Sequence, residues 1–206
     1  MNTLTESALS QRHADYDIED LILQRWSPRA MAGQPLPESE LLRLFEAARW
    51  APSTYNEQEW RFIYAHRETE SWHSLFDLLA EANQAWCQAA AVLIVVVSHK
   101  VFERNGKPNR VHSFDAGAAF QNIALQGAAM GLVVHGMAGF DYEAARTTLE
   151  VPDDYDIEAM IAVGLPGDRA NLSEELRERE QPSGRKPVRE LISEGRFGKT
   201  CSSCSC

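Results

Sequence analysis

Two short basic segments stand out on an otherwise acidic chain. One is Arg25-Trp26-Ser27-Pro28-Arg29 and the other is Gly184-Arg185-Lys186-Pro187. In the first, two guanidinium groups flank a hydroxyl donor, and Pro28 stiffens the turn between them. Two planar forks and an O–H suit a phosphate. The second segment is expected to close the same site from the far end of the chain. On composition alone, both segments also look like solvated surface charges. The chain has 206 residues and a formal charge of −10. Such a surface repels nucleic acid and anionic membranes, so neither is expected as a partner. Any anionic ligand must be caught by local cations against the overall field.

Two further segments offer hydrogen-bonding chemistry. Pro52, Ser53, Asn56 and Gln58 lie in a loop between a helical pattern and a strand pattern that starts at Trp60. Asn and Gln side chains both donate and accept, as the edge of a heterocycle requires. The plain alternative is an ordinary turn anchored by Trp60. The segment His135-Gly136-Met137-Ala138-Gly139-Phe140 follows an apolar run, and its two glycines would let backbone approach a ligand. Its plain alternative is a strand-to-helix turn capped by Asp141. Phosphate-loop, dinucleotide-fingerprint, zinc-protease and nucleophile-elbow patterns are all missing. The six histidines are scattered, so hydrolytic and metal-dependent chemistry have no support, and no metal is expected.

The elements that must position these residues follow from periodicity. Ile18, Leu21 and Ile22 have helical spacing before Arg25. Pro37 opens a helix whose apolar face is Leu41, Leu44, Phe45 and Ala48. Residues 60–65 read as a strand. Trp72, Leu75, Phe76, Leu79 and Trp86 predict one long amphipathic helix. Residues 91–97 form a β-branched run, expected as a strand covered on both faces. Residues 98–110 are polar, with Gly106 and Pro108, and read as a loop long enough for a lid or an excursion. Residues 113–131 form a helix of small residues, expected to be closely approached by other backbone. Strands are expected at 132–135 and 159–163, with an Asp141-capped helix between them and a last short helix from Pro187. The alternation says mixed α and β; it does not separate a parallel from an antiparallel sheet.

Hydrophobic residues make up 44% and charged residues 24%, the balance of one ordinary globular domain. The domain is expected over 18–197, after a polar lead-in at 1–17. The first 30 residues hold no apolar signal core, and the longest apolar run, 89–97, is too short for a bilayer. A cytoplasmic protein is expected. Cys87 is isolated, while Cys201, Cys204 and Cys206 crowd a tail at 198–206 that is expected to be disordered rather than metal-binding.

In register, these segments resemble the nitroreductase family of FMN enzymes over about residues 18–197. Its R-x-S-x-R opening is Arg25, Ser27 and Arg29. Its P-S-x-x-N-x-Q segment is Pro52, Ser53, Asn56 and Gln58, with Glu59 in place of the usual proline before Trp60. A small-residue helix ending in Gly131-Leu132, a glycine turn at 136–139, a G-x-P-G turn at 164–167 and Arg185-Lys186-Pro187 complete the order. The resemblance implies an α+β fold with a central, largely antiparallel sheet flanked by helices, in an intertwined homodimer. It implies FMN, with Arg25, Ser27, Arg29, Arg185 and Lys186 on its phosphate and ribityl chain and Trp26 adding backbone contacts. Pro52, Ser53, Asn56 and Gln58 would reach the flavin of the second subunit. Met137, Ala138 and Gly139 would lie near the ring; Ala138 stands where some members carry Glu. NADH or NADPH would reduce the flavin, which would then reduce a small acceptor in a ping-pong cycle with no obligatory side-chain acid or base. Reductive dehalogenation, flavin fragmentation and flavin binding without turnover remain alternatives at this stage.

Overall fold

A computed structural model describes residues 8–199. Its centre is β2 (Val92–His99), in which every residue is buried. The alternation of side chains along a strand explains why an unbroken apolar run suits it. Leu93, Val95 and Val97 face one core, with Trp72, Leu75, Leu79 and Trp86. Val92, Ile94 and Val96 face the other, with Leu41, Leu44, Ala116, Ala119 and Ile123. Each such aliphatic side chain contributes about 1.5–3 kcal/mol on burial, so β2 anchors both layers. It is flanked by β1 (Trp60–His66) and β4 (Tyr155–Gly164), and β3 (Val133–Met137) completes the order β1-β2-β4-β3. All three pairings are antiparallel, with a bulge between Val96 and Val97. The sheet type that the alternation of elements left open is thereby settled.

Helices α1 (Asp20–Gln24) and α2 (Glu38–Arg49) precede the sheet. Pro37 caps α2, and Leu41, Leu44 and Ala48 are its buried face. The long helix expected over Trp72–Trp86 is instead two short ones, α3 (Glu70–Phe76) and α4 (Glu81–Cys87). Competing backbone bonds explain the break. Leu79 bridges Phe140, Ala80 N–H donates to Gly139 O at 3.0 Å, and Asp141 N–H donates to Leu78 O at 2.9 Å. The helical period was real, but the intervening residues serve as a strand-like tie to the turn after β3.

Helix α5 (His112–Ala129) packs Ala116, Ala119, Ile123, Ala124 and Gly127 inward. A Cβ on Gly127 would lie 2.3 Å from Val134 Cγ2, so this helix-to-strand contact requires glycine. The α6 helix (Tyr142–Thr148) is capped by Asp141, whose carboxylate accepts from Ala144 N–H at 2.9 Å. Two short helices follow, α7 (Glu174–Glu178) and α8 (Val188–Leu191). The excursion between β2 and α5 closes on itself through a Val101–Pro108 bridge. At the N-terminus, residues 8–11 are helical, and Ala8 is fully buried. The lead-in is therefore packed against the body from residue 8 onward. The cysteines of the tail lie outside the described residues. No helix among the described residues is long and apolar enough to cross a membrane.

Candidate functional site

The segment after α1 is held from three directions. Met31 bridges Pro166, while Ala32 N–H donates to Leu165 O and Gly167 N–H to Ala30 O. A Cβ on Gly167 would sit 2.3 Å from the Met31 carbonyl, which gives the G-x-P-G turn its structural reason. Glu180 caps the segment: its Oε1 accepts from Arg29 N–H at 2.7 Å and Ala30 N–H at 2.8 Å. From β3, the His135 ring reaches Pro28 O at 2.9 Å through Nδ1. A carbonyl only accepts, so Nδ1 carries the proton. Burial pushes the His135 pKa down to about 4, with the Arg29 and Arg25 charges adding to that fall against the pull of the Pro28 carbonyl. The imidazole is thus neutral at physiological pH, and its ring packs on Trp86 with centroids 4.6 Å apart.

Held in this way, the segment presents cations. Arg25 Nη1 lies 3.4 Å from Ser27 Oγ. Burial lowers the Arg25 pKa first, and the Arg185 charge lowers it further. The two basic segments are brought together by Arg12, whose guanidinium donates both to Arg25 O at 2.8 Å and to Ser183 O at 3.1 Å. Arg12 joins them: burial lowers its pKa, followed by the charges of Arg185 and Arg25. Among the described residues none of these three arginines is in an ion pair. Arg29 differs, because its Nη1 lies 3.8 Å from Glu180 Oε2. Lys186 is exposed beside Arg185. The Trp26 indole N–H is buried without an acceptor among the described residues.

The loop before β1 is strained. Tyr55, Asn56 and Gln58 have φ of 56°, 59° and 54°. Non-glycine residues rarely adopt this region, at a cost of about 1–3 kcal/mol each. Gln58 N–H donates to Ser53 Oγ at 3.0 Å, Gln58 Nε2 to Asn56 O at 3.0 Å, and Thr54 N–H to Asp115 Oδ2 at 2.8 Å. Pro52, Asn56 and Gln58 are exposed. Beneath them Glu59 is buried, accepting from Asn109 Nδ2 at 2.7 Å. Burial raises the Glu59 pKa, and the neighbouring Asp115 carboxylate raises it further. Glu59 Oε2 is buried without a hydrogen-bond partner among the described residues. No hydrogen bond, ion pair or ring contact joins this loop to the arginine cluster among the described residues.

The two glycines at the end of β3 and in the turn that follows are closely packed by other side chains. The space a Cβ would need at Gly136 is filled by Phe120 Cζ at 2.8 Å, and at Gly139 by Asn83 Nδ2 at 2.8 Å. Internal packing accounts for both glycines without a ligand. The Met137 side chain is buried against Cys87, sulfur to sulfur at 3.4 Å. Ala138 and Gly139 are exposed, so only backbone is offered there. The residues missed by the sequence reading are Arg12, His135, Glu180 and Asp115. Each acts across a long sequence separation, and none belongs to a local pattern. His135 was visible only as the first residue of the turn.

The model of the nitroreductase family matches residues 22–165. The chain belongs to the nitroreductase family. A solved structure described as an oxidoreductase containing FMN is 42% identical, with a TM-score of 0.87, covering 92% of this chain and 97% of that one. A chain from Desulfovibrio desulfuricans solved in complex with FMN is 28% identical, with a TM-score of 0.66, covering 86% and 95%. An NADH dehydrogenase from Thermus thermophilus is 27% identical over 78% of this chain and 92% of its own length. The fold and the class, a flavin-dependent oxidoreductase, are those expected from the sequence.

Proposed function

We propose that this protein is an FMN-dependent NAD(P)H oxidoreductase that works as a homodimer and reduces small oxidised acceptors such as nitroaromatics or quinones. The observation that carries the reading is that Arg12 ties the segment of Arg25 and Ser27 to that of Arg185, while neither Arg25 nor Arg185 is in an ion pair among the described residues. A dianionic phosphate fits that set. FMN, when bound, would supply hydride-transfer chemistry between a nicotinamide and the acceptor. Arg25, Ser27, Arg185 and Lys186 hold the phosphate end, with Arg29 shared between that task and Glu180. Neutral His135 keeps the loop in place by holding the Pro28 carbonyl. The exposed backbone of Ala138 and Gly139 would border the ring, where neither residue brings an acidic or basic side chain.

A second copy of the chain supplies the rest. Pro52, Ser53, Asn56 and Gln58 do not reach the arginines of their own protomer, yet their loop is strained and exposed. Large apolar side chains are open nearby: Phe114 is 79% exposed, Tyr55 74% and Trp50 72%. A groove of about 290 Å³, lined by Leu21, Ala47, Trp50, Leu125 and Ala129 among others, runs between α1, α2 and α5. An apolar surface of this kind suits a two-fold partner packed along α5.

The test is an absorption spectrum of the purified protein, chromatography of the heat-released cofactor and anaerobic titration with NADH and NADPH. One FMN per subunit, bleached by a nicotinamide and recoloured by a quinone, is expected. A colourless protein that stays colourless with added FMN would refute the reading.

A further inference from the structure

We propose that Arg12 is a positioning residue of the phosphate site, drawing the two ends of the chain together over one anion. This rests on the flavin reading above. Arg12 Nη1 donates to Leu23 O at 2.9 Å and to Arg25 O at 2.8 Å, while Nε donates to Ser183 O at 3.1 Å. One guanidinium thus grips the backbone on both sides of the cluster: the residue that bears the Arg25 fork, and the carbonyl two residues before Arg185. Asp15 reinforces the closure, its Oδ2 accepting from Val188 N–H at 2.8 Å. Arg12 and Arg185 both lie outside the stretch, 22–165, that matches the family model.

The arrangement runs against simple electrostatics. Three guanidinium groups repel one another, and Arg12 is partly buried. A chain with 30 carboxylates has enough of them to neutralise the group. None is placed there in an ion pair among the described residues, although the neighbouring Arg29 is given Glu180. The balancing charge is then expected from a ligand, and a terminal phosphate with about two negative charges suits such a cluster of cations. Arg12 contributes by fixing the Arg25 and Arg185 backbones at the right separation and by adding its own charge.

The experiment compares FMN and riboflavin binding to the apoprotein of wild type, Arg12→Ala and Arg12→Lys by flavin fluorescence, at fixed salt. Melting temperatures are recorded with and without inorganic phosphate. Wild type should prefer FMN strongly, and phosphate should raise its melting temperature. Arg12→Ala should bind FMN about tenfold or more weakly, with riboflavin affinity changed less than about twofold and the phosphate shift reduced. Arg12→Lys, which keeps the charge but not the fork, should fall between. Equal loss of both flavins in Arg12→Ala would show a merely structural role and overturn the inference. So would an unchanged FMN-to-riboflavin preference, with the flavin reading left standing. Absence of any FMN preference in wild type would refute the flavin-phosphate reading itself, and this inference with it.

Discussion

His135 offers the sharpest perturbation, because one bond ties the sheet to the phosphate segment. Replacement by Phe keeps a ring against Trp86 but removes the N–H that Pro28 O accepts. Pro28 is buried, so its carbonyl would lose its partner with little access to water. An unsatisfied buried acceptor costs about 1–3 kcal/mol, and in a domain of this size that lowers the melting temperature by roughly 2–10 °C. FMN affinity should fall as well, because Ser27 and Arg29 flank the released carbonyl. Asn at this position places an amide N–H near the lost Nδ1 and should recover part of both losses. The burial of the same ring gives a pH dependence. The folded pKa of about 4 lies below the ordinary 6.5, so the neutral form stabilises the fold. That contribution, roughly 3 kcal/mol for such a gap, is complete above pH 6.5 and is lost as pH falls through the window down to about 4. Melting temperature against pH, wild type beside His135→Phe, should show the wild-type advantage shrink across that window. If His135→Phe melts with wild type at pH 7.5 and binds FMN equally well, the bond does not hold the segment and the reasoning fails.

Two further predictions concern charge. Arg25→Ala and Arg185→Ala should each weaken FMN binding by about one to two powers of ten. Their effects should be coupled, with riboflavin binding nearly unaffected. Arg29→Ala should differ by also lowering the melting temperature, since it strips the cation from the buried Glu180. A calorimetric melt and a fluorescence titration on each variant separate the two behaviours, and identical melts for Arg29→Ala and Arg185→Ala would count against the Glu180 pairing. Glu59→Gln should raise stability increasingly as pH rises. The folded pKa of Glu59 lies above its ordinary 4.5, so its contribution is present below that value and lost as pH climbs through the folded one. Melting curves that stay parallel for the two proteins from pH 4 to pH 8 would refute the raised pKa of Glu59.

The elements were legible where a single period governs them. The run at 91–97 could only be a doubly covered strand, and the Leu41-Leu44-Ala48 stripe could only be one face of a helix. The long helix at 72–86 failed for a different reason. Its period was intact, but the backbone groups of Leu78, Leu79 and Ala80 found partners in the turn at 139–141, and tertiary hydrogen bonds overrode the local pattern. The glycines of that turn were legible as constrained backbone. What they make room for was not, since Phe120 and Asn83 arrive from elements distant in sequence.

The site divides along the same line. Arg25 and Arg185 stood out as candidates because cations on a chain of charge −10 are informative, and Ser27 because it lies between two of them. Arg12 carries the same charge and was passed over, because it stands alone between Gln11 and His13 and belongs to no cluster in sequence. Only the carbonyls of Leu23, Arg25 and Ser183 give it a place. A guanidinium spent on three backbone acceptors leaves no trace in any one-dimensional pattern, since a carbonyl is present at every residue. Glu180 is the mirror case: an acid among acids in the sequence, it caps two backbone N–H groups beside the one cation of the site that has a carboxylate partner. Recognition through side chains can therefore be read from residue types, while the positioning of those side chains, which runs through backbone, appears only once the chain is folded.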